Sequence, residues 1–380
     1  MRRRLGLLSL SAYSLLIAAS SAMAANPIIT TIYTADPSAH VWTDGKLWLY
    51  PSHDRDNAQW WDMEDWHVFS SSNLVNWTDH GVAMSLSDVA FGPSWFAWAP
   101  DCAYRNGKYY FYFPVSVDQS FGNTNRIGVA IGNNPQGPFV SQAAPLVSGY
   151  PRGFDPCVFI DTDNQAYLYC GQGPDSAFVA KLKPSMTELE GRLQPIKGLS
   201  DFWEGFWMYK RNTTYYAMYC SGHDRLHYAT GSSPMGPFAQ KGGLLAPVGC
   251  STSHGSIVDF CGSTYLFYHT QDLSGDQFKR SVCIDKITFN ADGTMREVQR
   301  TSAGVGPVSC AVSALKPAET SLEIIGKTSG ACPRRKFDIT GRTCVFYDKN
   351  GDRMNAGPGN GVYILTRRNV PALRVFIARN

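Results

Sequence analysis

Apolar and aromatic residues recur along this chain as short runs that end on a tyrosine: GKLWLY at Tyr50, GKYYFY at Tyr112, QAYLY at Tyr169, TYYAMY at Tyr219 and STYLFY at Tyr268. These tyrosines are 62, 57, 50 and 49 residues apart, a spacing that marks a repeated supersecondary unit. Polar turns precede the runs, among them Thr43-Asp44-Gly45, Arg105-Asn106-Gly107 and Asp161-Thr162-Asp163-Asn164, and that is hairpin chemistry. A second apolar element follows each run: HVFSSSNLVNW from His67, IGVAIGNNPQGPF from Ile127, FVAKLKPSMTEL from Phe178, LHYATGSSPMGPF from Leu226 and RSVCIDKITFNADG from Arg280. With no convincing amphipathic helix between the two elements, the pattern predicts an all-β chain built as a five-bladed β-propeller.

Blade strands radiate from an axis, so the innermost strand of each blade brings its residues to one end of a central channel. Counting back from each tyrosine, polar residues recur in near phase: Asp36 at 14 residues, Asp101 at 11, Asp155 at 14, Glu204 at 15 and His254 at 14. Asp36, Asp155 and Glu204 have apolar or aromatic neighbours, as in Phe154-Asp155-Pro156 and Trp203-Glu204-Gly205-Phe206-Trp207. A lone acid is ordinarily a solvated surface group, but an acid in such company is costly to bury without a partner or a task. Hydrolysis of a glycosidic bond needs one carboxyl to protonate the leaving oxygen and another to activate water or attack carbon. Apolar surroundings should disfavour the anion of Glu204 and raise its pKa, as a general acid requires.

Composition narrows the partners. A formal charge of +3 with 17% charged residues leaves no electrostatic footprint for nucleic acid, while 13% aromatic residues suit both β-structure and the stacking of sugar rings. Trp95, Phe96 and Trp98 share one loop and Trp60, Trp61 and Trp66 crowd another; Trp98 is the expected pocket wall. The ten cysteines include no CxxC pair, which argues against structural zinc. Cys332 and Cys344 could staple the C-terminal stretch, whereas Cys170 and Cys220 sit in strand patterns and read equally well as buried thiols.

Taken together, ADPSAHVW from Ala35, MEDWHVFSSSNLVNWTDHGVA from Met63, WAPD from Trp98, FDPCVFIDTDNQAYLY from Phe154, WEGFWMYKRN from Trp203, SHGSIVDF from Ser253 and FKRSVCID from Phe278 resemble glycoside hydrolase family 43, from about Asn26 to about Val298. The resemblance implies an inverting hydrolase of xylose- or arabinose-containing polysaccharide or oligosaccharide, with Asp36 as general base, Asp155 orienting and tuning the acid, and Glu204 as general acid. The two outer acids would then stand roughly 6.5 to 9.5 Å apart. It also implies sugar contacts from Trp98, Phe154 and Arg280, the last able instead to reach the acid cluster and keep Asp155 ionised. His254 would lie beside a metal or water on the axis, where Ca²⁺ is favoured over Mg²⁺ and tunes the acids; no cofactor is needed for the chemistry. Asp101 is expected as a structural acceptor. The acid motif departs from the family in reading Glu204-Gly205-Phe206 where Glu-Gly-Pro is usual. Galactan- or arabinan-directed hydrolysis, a retaining fructan-type relative and a catalytically silent sugar-binding propeller remain rivals at this level.

The ends carry a different message. Three arginines, an apolar run from Leu5 to Ala19 and Ala22-Met23-Ala24 predict a secretory leader over residues 1–24, too short and too often interrupted by serine for a membrane anchor; no other segment could span a bilayer. The catalytic propeller is then expected over 25–300, a Gly, Ser, Ala and Pro-bearing connector over 301–317, and a β-rich module over 318–380. That last stretch weakly resembles the sorting tails of exported bacterial proteins, which engage secretion machinery; a carbohydrate-binding module or a completing element of the propeller are the alternatives.

Overall fold

The computed structural model describes residues 25–119 and 124–310, together with the backbone of strands between 337 and 376. Five antiparallel sheets follow one another along the chain. The first contains β1 (Tyr33–Val41), β2 (Leu47–Asp54), β3 (Asp65–Ser71) and β4 (Thr78–Ser85). The second contains β5 (Asp101–Arg105), β6 (Lys108–Ser116), β7 (Asn125–Gly132) and the short edge pieces β8 (Val140–Ser141) and β9 (Val147–Ser148). The third contains β10 (Cys157–Ile160), β11 (Ala166–Cys170), β12 (Phe178–Leu182) and β13 (Leu189–Pro195), and the fourth β14 (Phe202–Arg211), β15 (Thr214–Ser221), β16 (Arg225–Gly231) and β17 (Ala239–Leu245). The fifth has three strands, β18 (Gly255–Phe260), β19 (Ser263–Thr270) and β20 (Ser281–Ile287). Their first strands are neighbours in a closed circuit, β1 to β5 to β10 to β14 to β18 and back to β1, which is the expected five-bladed β-propeller.

The aromatic repeat becomes the second strand of every blade, and its residues point alternately to opposite faces. Leu49 and Phe267 pack in the cluster shared by the fifth and first blades, and Tyr50 and Phe111 in that of the first and second. Tyr112 and Leu168 fill the space between the second and third blades, whereas Tyr169 and Tyr268 join the large cluster around Phe206 and Trp207. Both faces are buried, so these strands read as continuous apolar runs rather than as alternation. Three of the five repeated tyrosines are also hooks: Tyr50 donates its hydroxyl to Pro135 O at 2.9 Å, Tyr112 to Met186 O at 2.7 Å and Tyr169 to Pro234 O at 2.8 Å, each in the next blade. A buried phenol needs such a partner, and here the partner fixes the spacing of adjacent blades. Turn chemistry is as local as the sequence suggested. Asn106 and Gly107 both take positive φ, 52° and 79°, the two-residue turn that an Asn-Gly pair makes most readily, so that Arg105 pairs with Lys108.

Closure uses both ends of the propeller. Ile28 N–H donates to Val282 O at 2.8 Å, and the Asn26 side chain both accepts from Ile284 N–H at 2.8 Å and donates to Ile284 O at 3.1 Å, so the N-terminal residues line the free edge of β20. Where the sequence suggests a connector, residues 301–310 are tied to the propeller: Thr301 binds Asp285, Val308 N–H donates to Asn73 O, and a disulfide joins Cys261 to Cys310. Cys170 and Cys220 are buried free thiols.

Residues 311–380 form a separate unit. There β21 (Phe337–Thr340), β22 (Thr343–Tyr347) and β23 (Arg353–Met354) make one antiparallel sheet, and β24 (Val362–Arg367) and β25 (Val370–Phe376) a hairpin. The expected leader over 1–24 and the side chains of Cys332 and Cys344 lie outside the described residues. Among the described residues no helix is long and apolar enough to cross a membrane.

Candidate active site

Two of the three acids stand where an inner strand breaks register, and the third stands just ahead of one. Pairing of β1 with β2 slips between Ala35 and Ser38, and Asp36 inside that bulge has φ of 49°. Asp155, just ahead of β10, has φ of 43°. β14 slips against β15 on both sides of Glu204, and Gly205 takes φ of 63°. Bulges re-aim side chains, and a left-handed non-glycine residue costs on the order of 1–3 kcal/mol, a strain that collects at functional sites. Gly205 is required on two counts, because a Cβ there would also come within 3.1 Å of the His254 ring.

These distortions turn the acids into one cavity of about 390 Å³, which Asp36, Asp155, Glu204, Trp98, Phe154, His254 and Arg280 all line. The acids are only 6, 4 and 3% exposed, so their charges are governed by partners rather than by water. Asp36 accepts from Ser52 Oγ at 2.8 Å and from Arg280 Nη1 at 3.0 Å. Arg280 is anchored in turn by Asp54, which takes Nε and Nη2 at 2.9 Å each. Asp155 Oδ2 accepts from Gly205 N–H at 3.1 Å, one residue from Glu204, and Gln172 Nε2 donates to Glu204 Oε2 at 2.6 Å. His254 Nδ1 stands 3.8 Å from both Asp36 Oδ1 and Asp155 Oδ2.

The environments push the three carboxyls apart. Burial alone would raise Asp36, but the Arg280 charge, then His269 and His254, outweigh it and hold the group below its ordinary value. Asp155 is driven well above that value, first by burial and then by the charges of Glu204 and Asp36. Burial raises Glu204 to about 7 although the Gln172 hydrogen bond pulls the other way. One buried acid that ionises readily and another that keeps its proton near neutrality form an acid–base pair.

Comparison with known proteins places the architecture. The family model of Glycosyl hydrolases family 43 matches residues 24–295. The chain belongs to glycosyl hydrolase family 43. Within the family, it is 38% identical to a xylosidase/arabinosidase 43A of Humicola insolens, over 70% of this chain and 97% of the relative. It is 34% identical to a xylosidase/arabinosidase of Bacteroides ovatus, over 70% and 95%. Among solved structures it resembles a family 43 enzyme of Xanthomonas citri complexed with xylotriose, at 35% identity and TM-score 0.66, covering 73% of this chain and 94% of that one. A β-xylosidase/α-arabinofuranosidase of the family from a compost metagenome, in its calcium-free form with xylotriose, gives 35% identity and TM-score 0.66 over 72% and 96%.

A family 43 propeller raises the question of a metal on the axis. Among the described residues His269 is a fully buried imidazole whose Nε2 faces no ionised side chain. Its Nδ1 accepts from Asp36 N–H at 3.0 Å, and burial, then Arg280, lower its pKa to about 3. The ring is therefore neutral with its proton on Nε2, toward the Thr252 backbone, and that nitrogen offers no lone pair to an ion. His254 has two carboxylate neighbours but belongs to no trio of donor atoms close enough to share an ion among the described residues. Ca²⁺ takes six to eight oxygen ligands, and this donor set does not fit a directly ligated ion.

Several placements differ from the reading of the sequence. Arg280 directs its side-chain hydrogen bonds to Asp36, Asp54 and Thr252 and not to Asp155; it is 1% exposed. Asp101, by contrast, is the structural acceptor that was expected: it ties three blades together by accepting from Ser38 Oγ at 2.5 Å, by pairing with His40 Nε2 at 2.7 Å and by accepting from Val158 N–H at 2.5 Å. Trp66 is fully buried and donates to Trp98 O, whereas Trp60 and Trp61 join Trp98 in the cavity wall. The sequence did not single out Gln172, Tyr150, His223 or Thr252, all of which line the cavity.

Proposed function

We propose that this chain is an inverting exo-acting glycosidase that removes terminal xylose or arabinose from plant cell-wall polysaccharides or their oligosaccharides. The observation that carries the reading is the opposed charge state of two acids in one cavity, Asp36 held low and Glu204 raised to about 7. Near pH 5 to 6 Asp36 is ionised and accepts a proton from the attacking water. Glu204 is protonated and gives its proton to the leaving oxygen, after which the two acids exchange states through solvent. Asp155 orients the Glu204 turn through Gly205 N–H, and its own charge state adjusts that of Glu204. Arg280, with Ser52, keeps Asp36 anionic.

The sugar class rests on the names of the relatives and on the xylose and xylotriose seen in solved ones. A cavity at the small end of the roughly 300–1,000 Å³ range of ligand pockets suits a chain end better than the middle of a polymer. Trp98 and Phe154, whose rings lie 5.2 Å apart, supply flat apolar wall for the sugar. Ca²⁺ at the axis, if bound, is held through its water shell and has no step in this reaction. Export through the leader is supported by the Cys261–Cys310 disulfide, a bond that persists in oxidising compartments; the 318–380 module is then the part that engages export or sorting machinery.

The test is a panel of nitrophenyl β-xyloside, α-arabinofuranoside and β-galactoside with the wild type, Asp36→Asn and Glu204→Gln. Turnover of a pentoside that is lost in both variants supports the reading. Galactoside turnover alone, or undiminished turnover in either variant, contradicts it.

A further inference from the structure

The first blade carries a group of side chains that the hydrolysis above does not use. His53 on β2 and Asp65 and His67 on β3 each bring one donor atom to within 4.8 Å of the others. His53 Nδ1 is 2.7 Å from Asp65 Oδ1, and that oxygen is 3.9 Å from His67 Nε2. The backbone explains why they meet. The ladder between β2 and β3 ends where Leu49 pairs with Phe69, and β3 slips register against β4 on both sides of His67. Past that point side chains, not backbone hydrogen bonds, span the gap between β2 and β3.

We propose that His53, Asp65 and His67 form a binding site for a first-row divalent ion of the zinc type, which clamps β2 to β3. Two imidazoles and a carboxylate are a ligand set that suits zinc. Tetrahedral bonds of 2.0–2.2 Å demand donor atoms about 3.4 Å apart, and the separations of 2.7 and 3.9 Å bracket that value. The side chains are 20, 26 and 14% exposed, so a water molecule can reach the fourth position. A second observation points the same way. His67 Nδ1 faces Asp79 Oδ1 at 3.2 Å, and an imidazole that donates its other N–H to a carboxylate has its tautomer fixed with the Nε2 lone pair directed at an ion. The Asp79–His67–Asp65 chain thus has the arrangement of a metal site with its outer carboxylate. The next residue after His53 is Asp54, which holds Arg280, so the clamp would steady the strand end that bears that carboxylate.

The experiment uses the full-length, untagged protein freed of metal by chelation, titrated with Zn²⁺ by calorimetry and followed by thermal melting. Uptake of one equivalent with micromolar or tighter affinity is expected, with Tm raised by about 5 °C at a hundredfold excess over Kd. The double variant His53→Gln/His67→Gln should lose that uptake while melting in chelator as the wild type does. Asp79→Asn, which alters only an exposed outer carboxylate, should weaken binding about 10- to 100-fold and gives the answer even where the double variant fails to fold. Absence of stoichiometric uptake, uptake that survives the double variant, or unchanged affinity in Asp79→Asn would each overturn the proposal and leave the trio as a hydrogen-bonded network.

Discussion

Arg280 donates from Nη1 to Asp36 Oδ1 at 3.0 Å from a position that is 1% exposed. A guanidinium so deeply buried is tolerated because Asp54 takes its other donors, and the pair of carboxylates confines it to one orientation. Replacing it by methionine leaves Asp36 and Asp54 buried without a counter-charge, a loss of about 3–5 kcal/mol in stability. Without Arg280 burial raises the folded-state pKa of Asp36 above its unfolded value and drives that of Asp54, which burial already raises beside the guanidinium, higher still. Such groups favour folding below the unfolded pKa and oppose it as pH rises through the folded pKa. The deficit of Arg280→Met relative to wild type should therefore be larger at about pH 7 than at about pH 4, as urea melts at the two pH values would show; an equal deficit would exclude this account of the Arg280 pairing.

The charge states predict the pH profile. Asp36 must be ionised and Glu204 protonated, so kcat/KM should fall on the acid side below the usual carboxylate range and on the alkaline side through about 7. The Gln172 hydrogen bond lowers Glu204. Gln172→Leu should therefore move the alkaline limb to higher pH with the acid limb unmoved, a pattern that a general loss of folding would not give.

The phase count from the repeated tyrosines singled out Asp36, Asp155, Glu204 and His254, and the structure places all four in one cavity. Asp101 stands apart with a spacing of 11 instead of 14 or 15 and is expected as a structural acceptor; the structure holds it to neighbouring blades through Ser38, His40 and Val158. The fold was legible because second strands buried on both faces leave a continuous aromatic signature. What escaped were the partners of the acids. Ser52, Gln172 and His269 come one to three residues after the tyrosines at 50, 169 and 268, at the channel end of the second strand. Counting forward as well as back would have found them. Tyr150 and His223 stand on loops whose convergence depends on the twist and curvature of the blades, and spacing along a sequence carries neither.

Glu204→Gln keeps shape and hydrogen bonding but cannot give up a proton to the leaving oxygen. Its kcat on an aryl glycoside with a poor leaving group should fall by about 10²–10⁴, and by much less on a dinitrophenyl glycoside, whose phenolate leaves unaided. An equal loss on both substrates would argue for a structural role. Xylose binding, followed by tryptophan fluorescence, should persist because Trp98 and Phe154 are untouched.

Reduction of the Cys261–Cys310 bond removes the covalent tie between the end of the 301–310 segment and the fifth blade. With the cysteines 49 positions apart, the loop-closure entropy restored to the unfolded chain corresponds to about 4 kcal/mol. Melting with and without a reductant should show a lower Tm in the reduced protein, and Cys261→Ser should reproduce that shift and become insensitive to reductant.

The relation between Asp36 and Glu204 is read most directly in the stereochemistry of the first product. Proton NMR during hydrolysis of a β-xyloside, recorded before mutarotation, should show α-xylose first, as expected if a water molecule attacks from the Asp36 side while Glu204 protonates the opposite face. Initial release of β-xylose would mean a covalent intermediate and carboxyls about 5–5.5 Å apart, and would contradict the assignment of Asp36 as a base.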